Sequence, residues 1–315
     1  MITENTLFIL GAGASASYGY PTGSELRRLI IKEFVADFHN SLFPQERIHL
    51  PNSSFIKEFA YAFDKSDDIL IDYFLHTCNN ESYVNIGKQA IALYIQKADE
   101  QYLSSWNIEF NKDDWYPILF SKLIDGINDP KYLSERKINF ITFNYDRLVE
   151  YKLLTSVKYK YGIAWDKASE YISHIKIKHV FGEVNFISPA VYQLGRKDFF
   201  QTDYQTVVNN AKTIKTIGER NSLDLSEIRD LIANASRIIF LGFGFNQENI
   251  DLLNIKHDAN RDTKIFGTSF KLNENRVKEI TNKISLISYD GLGLKHTSTP
   301  TLESLICSEL LAKYL

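Results

Sequence analysis

Cysteine is nearly missing from this chain: Cys78 and Cys307 are the two thiols in 315 residues. Two thiols cannot build a disulfide framework or a four-thiolate zinc site, and such usage suits a reducing, cytoplasmic setting. Long apolar runs are missing too. No segment reaches the ~18 uninterrupted apolar residues of a membrane-spanning helix, and the opening MITENTLFIL has neither a basic leader nor an apolar stretch as long as a secretory signal requires. Nor is there an excess of one charge. With 36 basic against 39 acidic side chains, bulk electrostatics leave no footprint for nucleic acid or an anionic membrane. Internal repeats and low-complexity tracts are also lacking. These absences predict a soluble, cytoplasmic protein with neither a membrane nor a direct nucleic-acid partner.

What is present is a set of short apolar runs with strand character, at 7–10 (LFIL), 138–143 (INFITF), 177–181 (IKHVF), 237–243 (RIIFLGF) and 264–270 (KIFGTSF), with a weaker sixth at 285–289. Most are continuous rather than alternating, as suits strands covered on both faces of a parallel sheet. Helical patterns separate them, which predicts an α/β fold: a doubly wound, mostly parallel, Rossmann-like sheet. Between the first helix and the second run lies a stretch rich in helical patterns with no good strand. Residues 40–135 therefore read as a helical insertion beside a discontinuous sheet domain formed by 1–39 and 136–315. The C-terminal TLESLICSELLAKYL reads as an amphipathic helix packed on the domain.

After the first run, Gly11-Ala12-Gly13-Ala14-Ser15-Ala16-Ser17 fits G-x-G-x-x-G/A, the pattern that lets a pyrophosphate lie against backbone N–H groups at a helix N-terminus. An ordinary strand-to-helix turn is the alternative. Gly19, Pro21 and Gly23 interrupt any helix begun at Ala14, since an interior proline costs ~3 kcal/mol and a glycine ~1 kcal/mol. Residues 11–23 thus read as a long loop, with the following helix capped by Thr22 or Ser24. This break disfavours a hydride-transferring dinucleotide domain, where the glycine turn opens directly into a regular helix.

Polar and glycine residues gather where the other strands end: Thr142-Phe143-Asn144-Tyr145-Asp146, His179-Val180-Phe181-Gly182 and Leu241-Gly242-Phe243-Gly244-Phe245-Asn246. Ligands of open α/β sheets bind outside the carboxyl ends of strands, so these positions are expected to line one crevice. FNYD also reads as a helix cap, with Asn144 or Asp146 at the N-cap, and capping is compatible with catalysis.

In this order, GAGAS, GYPTGSEL, TFNYD, HVFG and FLGFGFNQENIDLL resemble the sirtuin-like domains of bacterial antiphage defence proteins, over residues 5–38 and 137–270. The resemblance implies an NAD⁺-binding domain that consumes NAD⁺ as a substrate by cleaving the nicotinamide–ribose bond. By motif, Gly11, Ala12, Gly13 and Ser15 would cradle the pyrophosphate, and Thr22 with Gly23 would shape the nicotinamide-side loop. Asn144 and Asp146 would hold the nicotinamide ribose, while Gly242 and Gly244 would admit the adenosine half. Thr142, Gly182 and Asn246, at the same strand ends, complete the expected binding set. Cleaving an N-glycosidic bond develops an oxocarbenium ion, which calls for fixed polar groups at the ribose and a base to take a proton.

Two departures from the deacylase pattern set the expected chemistry. The paired C-x-x-C zinc module is absent, which disfavours an acyl-lysine substrate, leaves water as the ribosyl acceptor and predicts no metal. The deacylase histidine stands directly before glycine, whereas here Phe181 does. His179, on the same strand face two residues back, is the expected general base, with Phe181 as a wall. The expectation is an NAD⁺ glycohydrolase acting as an abortive-infection effector. It would be gated by homo-oligomerisation or by a separately encoded activator such as a translocase ATPase. The main alternative is a non-catalytic module that binds NAD⁺ or ADP-ribose and signals through conformation.

Overall fold

The run Thr6–Leu10, the first strand (β1), is buried at all five positions, as a strand covered on both faces must be. It pairs in parallel with β2 (Ile138–Thr142) on one side and β4 (Arg237–Leu241) on the other. In the computed structural model, which describes residues 2–40, 53–104, 113–184, 204–222, 224–289 and 295–315, the sheet continues outward. β3 (Ile177–His179) flanks β2, β5 (Lys264–Thr268) flanks β4, and β8 (Thr301–Glu303) closes the far edge. The order β3-β2-β1-β4-β5-β8, all parallel, is that of a Rossmann-like doubly wound sheet, with its switch point between β1 and β4.

The predicted runs are all strands; the first gains Thr6 and the others are shorter than expected. β4 stops at Leu241 because Gly242 takes a left-handed φ of 56°. β3 stops at His179 instead of running to 181, and Gly182 (φ 79°) then lets the chain pass so close to Thr213 that a Cβ would lie 1.9 Å from its carbonyl oxygen. The same-face argument from 179 to 181 therefore does not describe Phe181, whose ring instead meets Phe143 edge-on at 5.8 Å. The sixth predicted strand, β6 (Leu286–Tyr289), leaves the main sheet to form an antiparallel pair with β7 (Lys295–Ser298).

Two helical expectations are corrected. The C-terminal TLESLICSELLAKYL is not one helix: Thr301–Glu303 pairs with Phe266–Thr268, Leu302 packing where Gly267 has no side chain, and the helix runs over Cys307–Tyr314. Residues 11–23 are not all loop, because a helix of five residues, Ala12–Ala16, starts directly after Gly11. Small side chains fit where a bulky helix start would collide, and the break falls at Gly19 (φ 90°). Thr22 caps the next helix, Gly23–Lys32, in a reciprocal capping box with Glu25.

Between Phe34–Asn40 and β2 every described element is a helix: Ser53–Lys65, Ile71–Thr77, Glu81–Ser104, Tyr116–Ile124 and the 3₁₀ turn Pro130–Glu135. Residues 41–52 and 105–112 of the predicted insertion lie outside the described residues. The long helix Glu81–Ser104 packs on Tyr204–Thr213, and Ile71–Thr77 on the turn Ile217–Ser222. No helix among the described residues is long and apolar enough to cross a membrane. Both cysteines are free thiols.

Candidate functional site

Strand register sets the site. Leu10 lies level with Thr142 and Leu241, and Thr142 level with His179. The four loops that follow therefore leave the sheet side by side, over an aromatic floor in which Phe143 meets Phe243 at 5.0 Å and Phe243 meets Phe245 at 5.1 Å.

The first two loops are stitched together by side chains. Asn144 Nδ2 donates to the Gly11 carbonyl and to Ser15 Oγ, each at 3.1 Å, and Ser15 Oγ donates to Asp146 Oδ1 at 3.1 Å. Because a carbonyl can only accept, the Gly11 contact fixes which end of the Asn144 amide is NH₂. Asn144 Oδ1 is left buried without a hydrogen-bond partner. An orphaned buried acceptor costs ~1–3 kcal/mol, so it calls for an explanation. Thr142 Oγ1 accepts from the Asn144 N–H at 3.1 Å and holds the turn.

Asp146 also accepts from the Leu148 N–H at 3.2 Å. It thus caps the helix Leu148–Tyr161 from one residue before the positional N-cap, Arg147. Burial raises the Asp146 carboxyl to about 6, against the opposing pull of Ser15, the Leu148 N–H and His179.

His179 stands behind this frame with both ring nitrogens engaged. Nδ1 faces the Asn144 carbonyl at 3.1 Å and Nε2 the Glu150 carboxylate at 2.9 Å. A carbonyl and an ionised carboxylate are both acceptors, so the doubly protonated ring is the form that satisfies both contacts. Burial works against that charge, but the bond and charge of Glu150, with Glu183 and the Asn144 carbonyl, outweigh it and raise the His179 pKa. Burial likewise disfavours Glu150 as an anion, yet His179 and Arg147 hold its pKa below the usual value. Glu150, His179 and Glu183 bring ligand-type atoms within 4.8 Å of one another. Arg147, 3.1 Å from Glu150 and 3.6 Å from Glu183, already supplies the balancing cation, making the group an ion-pair network.

The glycines behave differently from one another. A Cβ on Gly11 would lie 2.6 Å from the Gly242 carbonyl oxygen, one on Gly13 2.8 Å from the Gly242 Cα, and one on Gly242 2.0 Å from the Ala14 nitrogen. The bareness of all three serves a close crossing of the loops after β1 and β4. The N–H groups of Gly11, Gly13 and Ala14 donate to the carbonyls of Leu241, Gly242 and Gly11. Gly244 is open, a Cβ there meeting only the Asn246 side chain at 3.9 Å. Gly23 lies against Leu70, and Gly182 against Thr213. Asn246 occupies the N-cap of Gln247–Leu253 without a side-chain capping bond. The structure thus joins Gly11, Gly13, Ser15, Thr142, Asn144, Asp146, His179 and Gly242 through direct contacts. Thr22, Gly244 and Asn246 contact residues of their own loops, whereas Gly23 and Gly182 pack against Leu70 and Thr213.

Several supporting residues carried no sequence signal. Trp115 donates from Nε1 to the Ala14 carbonyl at 2.7 Å, and the Tyr18 hydroxyl donates to Asp114 at 2.7 Å and accepts from the Tyr116 N–H at 3.1 Å. Tyr20 donates to buried Asp99 at 2.6 Å. The helix Ile71–Thr77 spans the loops: Tyr145 donates to Asp72 at 2.7 Å and Tyr73 to Glu248. No local spacing announces any of these pairs, since their partners lie far apart in the chain. No protein-family model matches the chain, and comparison with curated proteins gives no match.

Proposed function

We propose that this chain is an NAD⁺ glycohydrolase that releases nicotinamide and ADP-ribose, with the nicotinamide ribose against Asn144, Ser15 and Asp146. The observation that carries the proposal is the orphaned Asn144 Oδ1, a buried acceptor with no protein partner, beside the glycine turn at the carboxyl ends of β1 and β2 in a Rossmann-like sheet. A ribose hydroxyl is a donor of the right kind. The adenosine half lies over open Gly244, and the pyrophosphate near the Gly11–Ser15 turn. The described helices between Ser53 and Glu135 belong to a helical insertion whose segment Ile71–Thr77 covers the nucleotide, and the enzyme works in the cytoplasm with no metal. An unrestrained NADase would exhaust its own cell, so activity is gated by homo-oligomerisation or a separately encoded activator such as a translocase ATPase, in keeping with an abortive-infection role.

A second reading, a module that binds NAD⁺ or ADP-ribose without turnover, is favoured by one observation. Both His179 ring nitrogens face acceptors, and Glu150 raises its pKa, which favours the protonated ring over the free base that proton abstraction needs. The two readings separate when the purified chain, alone and with its genetic neighbours' products, is incubated with NAD⁺ and the nucleotides are resolved by chromatography. Sustained release of nicotinamide supports the hydrolase, while tight ADP-ribose binding without release supports the module.

A further inference from the structure

Hydrolysis needs an acceptor for the water proton, and both His179 ring nitrogens are already engaged, by the Asn144 carbonyl and by Glu150. Ser15 Oγ lies between Asn144 Nδ2 and Asp146 Oδ1 at 3.1 Å from each, so its hydroxyl proton already points at a carboxylate. Its oxygen stands beside the amide whose free Oδ1 would hold the ribose. We propose that, in NAD⁺ hydrolysis by this chain, Ser15 relays the proton of the attacking water to the Asp146 carboxylate, and that His179 is a positioning residue which fixes Asn144 through its carbonyl. The inference rests on the NAD⁺-consuming reading of the site.

The step balances without further reagents. The water oxygen forms a bond to the anomeric carbon as the bond to the nicotinamide nitrogen breaks, and the departing electron pair neutralises the pyridinium ring. The water proton passes to Ser15 Oγ while the Ser15 proton passes to Asp146, from which it later returns to solvent. Neutral nicotinamide and ADP-ribose leave. Burial first raises the Asp146 carboxyl to about 6, which suits an acceptor that must be ionised at neutral pH yet still basic. The other groups facing it are His179, which favours its ionised form, Glu150, which opposes it, and the Tyr20 hydroxyl, which is itself bonded to Asp99.

The pH profile of kcat separates this path from a histidine base. For the wild-type chain, kcat should rise with pH along a limb near 6. Ser15→Ala should lower kcat by about tenfold or more and move the limb to higher pH, since the Ser15 bond holds the Asp146 pKa down. Asp146→Asn should remove the limb, while His179→Gln should keep it at a rate within about tenfold of wild type. ADP-ribose calorimetry on each variant checks that the site is formed, and Ser15→Cys replaces Ser15→Ala should the latter fail to fold. A limb that survives in Asp146→Asn and vanishes in His179→Gln overturns the relay, as does a Ser15→Ala protein with the wild-type rate and profile. A wild-type protein that binds ADP-ribose but never cleaves NAD⁺ sinks the hydrolase reading itself, and the relay with it.

Discussion

Ser15 and Asp146, 131 residues apart in the chain, share a buried 3.1 Å hydrogen bond that ties the loop after β1 to the loop after β2. Asp146 is 6% exposed, and its carboxyl sits near 6 against ~3.9 for an unfolded aspartate. The folded state therefore holds this proton more tightly than the unfolded one. The contribution is favourable below about pH 4 and is lost as pH rises through about 6, a decline on the order of 3 kcal/mol. Asp146→Asn, which stays neutral, should be more stable than wild type at pH 7.5 and should lack this decline. Urea unfolding at pH 4.5 and 7.5 measures both.

The neighbouring pair is bounded on both sides: His179 loses its contribution as pH rises, as Asp146 does, whereas Glu150 loses its contribution as pH falls. His179 is raised and Glu150 lowered. Their mutual stabilisation is thus full between about 4.5 and 6.5, the unfolded values. It fades as pH rises through the folded His179 pKa, and as pH falls through the folded Glu150 pKa. Removing one partner of a buried pair costs ~3–5 kcal/mol. His179→Ala should show its largest deficit near pH 5.5, with the gap to wild type narrowing by pH 9.

The glycines give a sharper structural contrast. Gly242→Ala puts a Cβ 2.0 Å from the Ala14 nitrogen at a φ of 56°, so backbone must move in addition to a strain of ~1–3 kcal/mol. Gly244→Ala meets nothing closer than 3.9 Å and should leave the Tm within a degree or two of wild type. Thermal melts of the two variants should differ strongly. Gly13→Val should likewise lose the fold and not nucleotide affinity alone, because its Cβ would lie 2.8 Å from the Gly242 backbone.

Trp115 is predicted to act on the glycine turn from the helical side. Trp115→Phe keeps the ring but removes the Nε1 donor to the Ala14 carbonyl, leaving that buried acceptor unpaired at a cost of ~1–3 kcal/mol. Denaturant midpoints check the figure.

The central strands were legible in the sequence because they are continuous apolar runs, and a run such as LFIL buried on both faces needs no tertiary knowledge to identify. The edge strand Thr301–Glu303 was not, since three residues carry no period and TLESLI alternates as readily along a helix. The helix Ala12–Ala16 was hidden by the breakers behind it, at Gly19 and Pro21, which end it without preventing its start. Motif order placed Asn144, Asp146 and Ser15 at strand ends, and the parallel register then brought them together. The partners of His179 remained illegible: Glu150 lies on the next helix and Glu183 beyond a left-handed glycine, so only the fold unites them.

If the frame around Asn144 holds the nicotinamide ribose, Asn144→Ala should release nicotinamide from NAD⁺ about 10²-fold or more slowly than wild type under the same activating conditions, roughly 2.7 kcal/mol of barrier, with the melting curve retained. A folded Asn144→Ala protein that releases nicotinamide at the wild-type rate would show that the ribose is held elsewhere.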